Sequence, residues 1–220
     1  MRNVIVSPSI LALGPDENKI IEGINEISKD GAGWVHVDIM DGVFVTNKTF
    51  GPEVLKDISS KHTLINDVHI MVINPKDVAK NYCDAGADIL TFHLEACENS
   101  DDVIETIQII KNEGVKVGIS IKPETPIEAV LPFVKFVDLV LIMSVEPGKG
   151  RQTFMPASLA RIKKLREYID TNNFDVLIEV DGGINEKTAK SCKENGVDVL
   201  VAGSFVFENN IKESIERLLK

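Results

Sequence analysis

The stretch EVDGGINEKTAKSCKENGVDVLVAGS, residues 179–204, decides how the chain is read. It begins inside an apolar run, 176–180, one of eight that are mostly continuous rather than alternating, as expected of strands covered on both faces. Asp181 breaks the run, and Gly182-Gly183 leads into a polar segment, 186–194, with helical spacing. Gly196 stands where a left-handed residue closes a helix. A second apolar run, 197–202, follows at once and stops at Gly203-Ser204. The order is strand, glycine turn, helix, glycine, strand.

The same unit recurs upstream. KDGAGWVHV (29–37), CDAGADILTF (83–92) and KNEGVKVGI (111–119) each end a polar segment with a glycine and enter an apolar run. Gly31, Gly86 and Gly114 therefore join Gly196 as expected helix-ending residues. At Asn74 (NPKD) and Thr125 (TPIE) a capping side chain precedes Pro, and an acid follows three residues after the cap, which predicts a helix start at each. Apolar runs occupy 4–7, 34–39, 67–72, 88–92, 115–121, 137–143, 176–180 and 197–202. Helical spacing marks 17–29, 75–84, 101–113, 157–170, 186–194 and 210–219, with shorter segments near 51–60 and 126–133. Eight strands alternating with helices predict an α/β fold, a single (β/α)8 barrel forming one domain over residues 1–220. A doubly wound open sheet is the alternative, although no complete G-x-G-x-x-G follows a strand.

Composition limits the function. A net charge of −10 opposes non-specific binding to nucleic acid or a membrane surface, both of which favour a basic face. No apolar run approaches the ~20 residues of a membrane span. The N-terminal residues carry no signal-peptide processing pattern, and three cysteines without a C-x-x-C pair suit reduced thiols, so a cytoplasmic location is expected.

In a (β/α)8 barrel, functional groups collect at the carboxyl ends of the strands. Those ends carry Ser9; His36, Asp38 and Met40; His69 and Met71; His93 and Glu95; Lys122; Met143 and Ser144; Asp181; and Gly203-Ser204. His36, Asp38, His69 and Asp181 offer two nitrogens and two carboxylates, a donor set suited to one divalent ion. Zn²⁺ leads, with Fe(II), Mn(II) and Co(II) as alternatives. The H-x-D pair alone is equally a structural hydrogen bond. His93 and Glu95 are expected to support this set by hydrogen bonding. His62, ahead of the third strand, is expected in solvent.

Glycine-rich loops form a second group. Gly182-Gly183 follows strand seven and Gly203-Ser204 follows strand eight, where this architecture commonly holds phosphate. EPGKGRQ (146–152) adds Gly148, Lys149, Gly150 and Arg151. Each glycine is otherwise a tight-turn residue. Met40, Met71 and Met143 serve either as core filling or as a soft apolar surface at the mouth.

The sequence resembles the ribulose-phosphate 3-epimerase family. SPSIL at Ser7, HVDIMDGVFVTNKTFGP at His36, HIMV at His69, HLEA at His93, MSVEPG at Met143, EVDGGIN at Glu179 and VAGS at Val201 carry the resemblance in order along nearly the whole chain. The resemblance implies one divalent ion on His36, Asp38, His69 and Asp181, with Asp38 and Asp181 as the acid/base pair. It further implies substrate contacts from Ser9 and His69 and a phosphate held by loops 148–151, 182–183 and 203–204. The implied reaction inverts C3 of a ketose phosphate, interconverting D-ribulose 5-phosphate and D-xylulose 5-phosphate, and needs neither nicotinamide nor flavin. The implied assembly is a homo-oligomer. PGKGRQ departs from the family's P-G-F-G-G-Q, with Lys149 for an aromatic and Arg151 for glycine, and Thr46 stands for a proline. The loop change leaves D-allulose 6-phosphate as an alternative substrate. A metal-dependent phosphate-ester hydrolase and a non-catalytic sugar-phosphate binder are the other readings.

Overall fold

The computed structural model describes residues 3–220. All four helix-ending glycines take positive φ, between 75° at Gly114 and 102° at Gly86, a conformation that a Cβ would oppose. They join helices to strands as the sequence predicts. The strands are β1 (Ile5–Pro8), β2 (Trp34–Met40), β3 (Ile65–Met71), β4 (Ile89–His93), β5 (Lys116–Ile121), β6 (Leu139–Met143), β7 (Leu177–Asp181) and β8 (Val199–Ala202). All pair in parallel, in the order β1-β8-β7-β6-β5-β4-β3-β2, and a bridge between Ser9 and His36 joins the two ends of the sheet. The result is a (β/α)8 barrel, not an open sheet.

Around it lie α1 (Glu17–Lys29), α2 (Pro52–Ser59), α3 (Pro75–Asp84), α4 (Ser100–Asn112), α5 (Ala157–Asn172), α6 (Glu186–Glu194), the short α7 (Ser204–Phe207) and α8 (Ile211–Leu219). None of these helices is long and apolar enough to cross a membrane. The segment after β5 is not an α-helix. Ile127–Ala129 and Leu131–Phe136 form 3-10 turns, and Thr125, expected as a cap, instead turns its hydroxyl to Glu95. Pro132 interrupts backbone donation there. Asn74 makes no side-chain cap either. It enters α3 in the left-handed region (φ 48°), and Pro75 at the first helical position needs no acceptor.

Strand residues divide by parity. Val35, Val37 and Ile39 of β2 point outward into the main apolar cluster, which also contains Ile20, Ile24 and Ile27 of α1. Trp34 points inward and meets Ile89, Leu139, Leu141 and Val199 across the barrel floor. Above that floor the lumen turns polar, with Ser7, His36, Asp67, Thr91, Ser120 and Glu179 all 0% exposed. The lumen is narrow at Gly118, where a Cβ would lie 2.8 Å from Thr91 Cβ and 3.1 Å from its Cα. Gly118→Val is therefore expected to destabilise the fold by about 1–3 kcal/mol through overpacking. Urea unfolding checks this, and an unchanged midpoint would refute it.

His62 is half-buried rather than solvated. Its Nδ1 accepts the Leu64 N–H at 3.1 Å, because the turn before β3 folds the ring back onto its own backbone. All three cysteines are free thiols.

Candidate active site

β2, β3 and β7 bring His36, Asp38, His69 and Asp181 to one point. One donor atom from each lies within 4.8 Å of the others. The register aligns Asp38 with His69 across the β2–β3 pair, so both project upward from the same rung. Asp38 Oδ1 is 3.3 Å from His36 Nε2 and 3.2 Å from His69 Nδ1. Its Oδ2 accepts the Ser9 hydroxyl at 2.8 Å. Ser9 is thus engaged with Asp38 while still lining the cavity above.

A second layer lies one rung deeper and was not read as functional from the sequence. Asp67 precedes His69 by two residues and Glu179 precedes Asp181 by two, so strand parity points both into the lumen beneath the upper pair. Asp67 Oδ2 holds His36 Nδ1 at 2.7 Å and accepts the Ser7 hydroxyl at 2.8 Å. Burial opposes the charge of Asp67, but His36 outweighs it and keeps its carboxyl below the usual range. Burial and the charge of Asp67 push Glu179 well above the usual carboxylate range. Burial alone would discharge His36, yet Asp67 and Asp38 raise its pKa well above the usual imidazole value.

The upper pair separates in the same way. Burial raises Asp38, but His36 and His69 overcome it and hold the carboxyl below the normal range. Asp181 is raised to about 6 by desolvation and then by the charge of Asp38. His93 and Glu95 sit beside this cluster. His69 Nε2 and His93 Nε2 are 2.9 Å apart, and His93 Nδ1 is 3.1 Å from Glu95 Oε2. Burial lowers His93 to about 4; for Glu95, burial is outweighed by hydrogen bonds from His93, Thr125 and the Lys122 N–H, which lower it to about 2.

These residues fit a divalent ion. His36 Nε2 is a buried nitrogen with no hydrogen-bond partner among the described residues, aimed into a ring with two carboxylates and a second imidazole. Asp67 fixes the opposite nitrogen of that ring, as an outer partner does for a metal-binding histidine.

Above the ring opens a cleft of about 980 Å³. Met40, Met71 and Met143 are almost wholly buried, at 1–3% exposure, and still contribute to its floor, so they fill core and line the site together. All the predicted glycine-loop residues border the cleft: Gly148, Lys149, Gly150 and Arg151; Gly182 and Gly183; and Gly203 and Ser204. Gly182 and Gly183 have φ of 122° and 63°, and a Cβ on Gly182 would lie 2.5 Å from Val145, so loop packing by itself requires glycine there. Arg151 is committed elsewhere. Its guanidinium pairs with Glu208 at the end of α7, Nε to Oε1 at 2.8 Å, which joins the loop after β6 to the segment after β8. Lys187 and Asn47 also border the cleft, and Asn47 Nδ2 donates to the Gly148 carbonyl at 2.7 Å. Neither stood out in the sequence, since one reads as an exposed helix residue and the other as a turn residue.

The model of the ribulose-phosphate 3 epimerase family matches residues 5–207. The chain belongs to the ribulose-phosphate 3-epimerase family. It is 39% identical to ribulose-phosphate 3-epimerase of Schizosaccharomyces pombe over 213 residues, which cover 96% of this chain and 90% of that one. The enzyme of that name from Bacillus subtilis is 40% identical over 215 residues and 97% of each chain. Among solved structures, 3-keto-L-gulonate-6-phosphate decarboxylase of Vibrio cholerae superposes with a TM-score of 0.72 at 10% identity, covering 99% of this chain and 96% of that one. The 3-hexulose-6-phosphate synthase of Salmonella typhimurium gives 0.71 at 16%, covering 100% and 97%. At such low identity these structures speak for the barrel alone. Family membership makes the chain an isomerase acting on carbohydrate phosphates, and the cluster at its barrel mouth is compatible with a divalent metal.

Proposed function

We propose that this epimerase inverts C3 of D-ribulose 5-phosphate to give D-xylulose 5-phosphate, with one divalent ion, Zn²⁺ first, on His36, Asp38, His69 and Asp181. The observation that carries the reading is the convergence of two imidazoles and two carboxylates within 4.8 Å, with the carboxylates on different staves, β2 and β7. Such an ion supplies Lewis-acid stabilisation for the charge of an enediolate. Asp38 and Asp181 then act from the two faces of the planar intermediate. One takes the C3 hydrogen as a proton, and the other returns a proton to the opposite side. The thioethers of Met40, Met71 and Met143 shield the reacting carbon from water. Backbone at Gly148, Gly150, Gly182, Gly183, Gly203 and Ser204, with the Lys149 ammonium, receives the phosphate and fixes the far end of the substrate. A cytoplasmic homo-oligomer completes the proposal.

Incubation in D2O with ribulose 5-phosphate or allulose 6-phosphate, with and without chelator, tests it. Deuterium should enter at C3, with the pentulose preferred and with loss of exchange on chelation. Phosphate release without exchange would point to hydrolysis, and binding without exchange to a non-catalytic role; either overturns the proposal.

The loop after β6 gives a separate expectation. An exposed ion pair such as Arg151–Glu208 contributes little stability. Lys149→Phe combined with Arg151→Gly removes the Lys149 ammonium beside the phosphate position and the Arg151–Glu208 pair that ties the loop to the segment after β8. KM should rise about several-fold while kcat changes less than about twofold. Steady-state kinetics decide, and a fall in kcat at constant KM would contradict the assignment.

A further inference from the structure

His69 faces the mouth with one nitrogen and the barrel wall with the other. Nδ1 lies 3.2 Å from Asp38 Oδ1, and Nε2 lies 2.9 Å from His93 Nε2. Two ring nitrogens that close share one proton, so one ring donates and the other accepts. The direction matters. If His69 donates through Nε2, its Nδ1 presents a lone pair to the mouth. If His69 accepts, Nδ1 carries the hydrogen and cannot bind a cation. With no ion bound, the Asp38 carboxylate 3.2 Å away draws a hydrogen onto Nδ1, so the hydrogen on Nε2 needs a demand of its own from the wall side.

Glu95 makes it. Its Oε2 is 3.1 Å from His93 Nδ1, and its Oε1 accepts the Lys122 N–H at 2.7 Å and the Thr125 hydroxyl. An ionised carboxylate only accepts, so His93 must carry its hydrogen on Nδ1. His93 is 0% exposed, with the Phe44 ring 4.9 Å away, and burial disfavours a second proton. Neutral His93 therefore offers a bare Nε2, and His69 must donate to it. We infer that Glu95 sets the tautomer of His69 through His93, so that a relay of three side chains delivers the Nδ1 lone pair to the mouth. Glu95 and His93 are positioning residues in this arrangement. The inference rests on the reading of that mouth as a cation site. His36 obtains the same service in one step, from Asp67.

The relay has a signature that packing alone would not produce. In Glu95→Gln the amide oxygen must stay on the Lys122 N–H, because an NH2 group cannot accept it. The NH2 then faces His93 Nδ1 and demands a bare nitrogen. His93 moves its hydrogen to Nε2, His69 becomes the acceptor, and its Nδ1 points a hydrogen at Asp38. Glu95→Ala only removes the bias and leaves both tautomers accessible. The closer mimic should therefore do more harm, whereas a packing role predicts the reverse. His93→Gln restores the relay's polarity, with its NH2 toward Glu95 and its carbonyl toward His69.

Long-range ¹H–¹⁵N NMR of the imidazoles in the metal-free full chain reads the tautomers directly, and Co²⁺ titration of the same proteins reads the consequence. Wild-type His69 should carry a hydrogen on Nε2, and the Glu95→Gln protein should carry it on Nδ1 alone. Co²⁺ affinity should fall about 10–100-fold in Glu95→Gln, less in Glu95→Ala, and least in His93→Gln. A wild-type His69 with its hydrogen on Nδ1 alone, or a larger loss in Glu95→Ala than in Glu95→Gln, would overturn the inference. If the wild type shows the expected tautomer but takes up no Co²⁺, the relay stands and the cation reading falls.

Discussion

Asp181→Asn is expected to lower turnover by about 10²–10⁴-fold while the chain stays folded, and Asp38→Asn by a similar factor. Asparagine keeps the shape of the side chain but can neither take nor return a proton. The two carboxylates are not equivalent. Asp38 is held ionised by His36 and His69, whereas Asp181 is raised to about 6. That difference places Asp181 closer than Asp38 to exchanging a proton near neutral pH. The prediction therefore has a second part. With one acid removed, the epimer whose C3 hydrogen faces the surviving carboxylate should still exchange that hydrogen with D2O, although neither epimer converts. Isotope uptake into each epimer, followed separately, checks this alongside kcat and a far-UV spectrum. Near-normal turnover in either variant would remove that residue from its role. Equal loss of exchange from both epimers would argue against separate faces.

The barrel and the upper ring of this site were legible in the sequence because each rests on a local signal. Gly31, Gly86, Gly114 and Gly196 mark helix ends by a backbone requirement that no tertiary contact overrides. His36, Asp38 and His69 stand out because charged or polar side chains interrupt runs that two-sided burial would otherwise make apolar. Asp67 and Glu179 send the same signal, but each stands next to a more conspicuous residue two positions on. Strand parity would have found them, since a residue two before an inward-facing one is also inward-facing. Asn74 does open a helix, but neither it nor Thr125 caps one with its side chain. A capping side chain near Pro is a valid local pattern, yet Thr125 has a stronger partner in Glu95, which lies 30 residues away in sequence. Arg151 reads as an anion-binding cation until Glu208, 57 residues on, is folded against it. Partners at such separations carry no periodic or dipeptide trace, so only the folded chain brings them together.

Metal removal should abolish exchange at C3, and the affinity for the ion should fall steeply as the pH is lowered. The sign follows from what the ring holds when no ion is bound. The carboxylates of Asp67 and Asp38 outweigh burial and keep His36 protonated to well above the usual imidazole pKa. An ion can reach Nε2 only by displacing that proton. Around neutral pH, apparent affinity should therefore drop by about tenfold for each pH unit lowered, the slope for one proton released. Below about 6 a proton also settles on Asp181, and the dependence should steepen toward two protons. Asp38 adds nothing in this window, because His36 and His69 keep it ionised well below it. Zn²⁺ titration by calorimetry at pH 5.5, 6.5 and 7.5, in buffers of different ionisation enthalpy, counts the released protons directly. Asp67→Asn should flatten the upper part of the curve, because losing that carboxylate lowers the pKa of His36. It should also weaken binding about 10–100-fold at high pH, where the orientation of the ring is what remains of its contribution. Affinity that does not vary with pH, or uptake without proton release, would mean that the ion does not sit on His36. The two imidazoles and the pair of carboxylates would then need another explanation for their convergence at the barrel mouth.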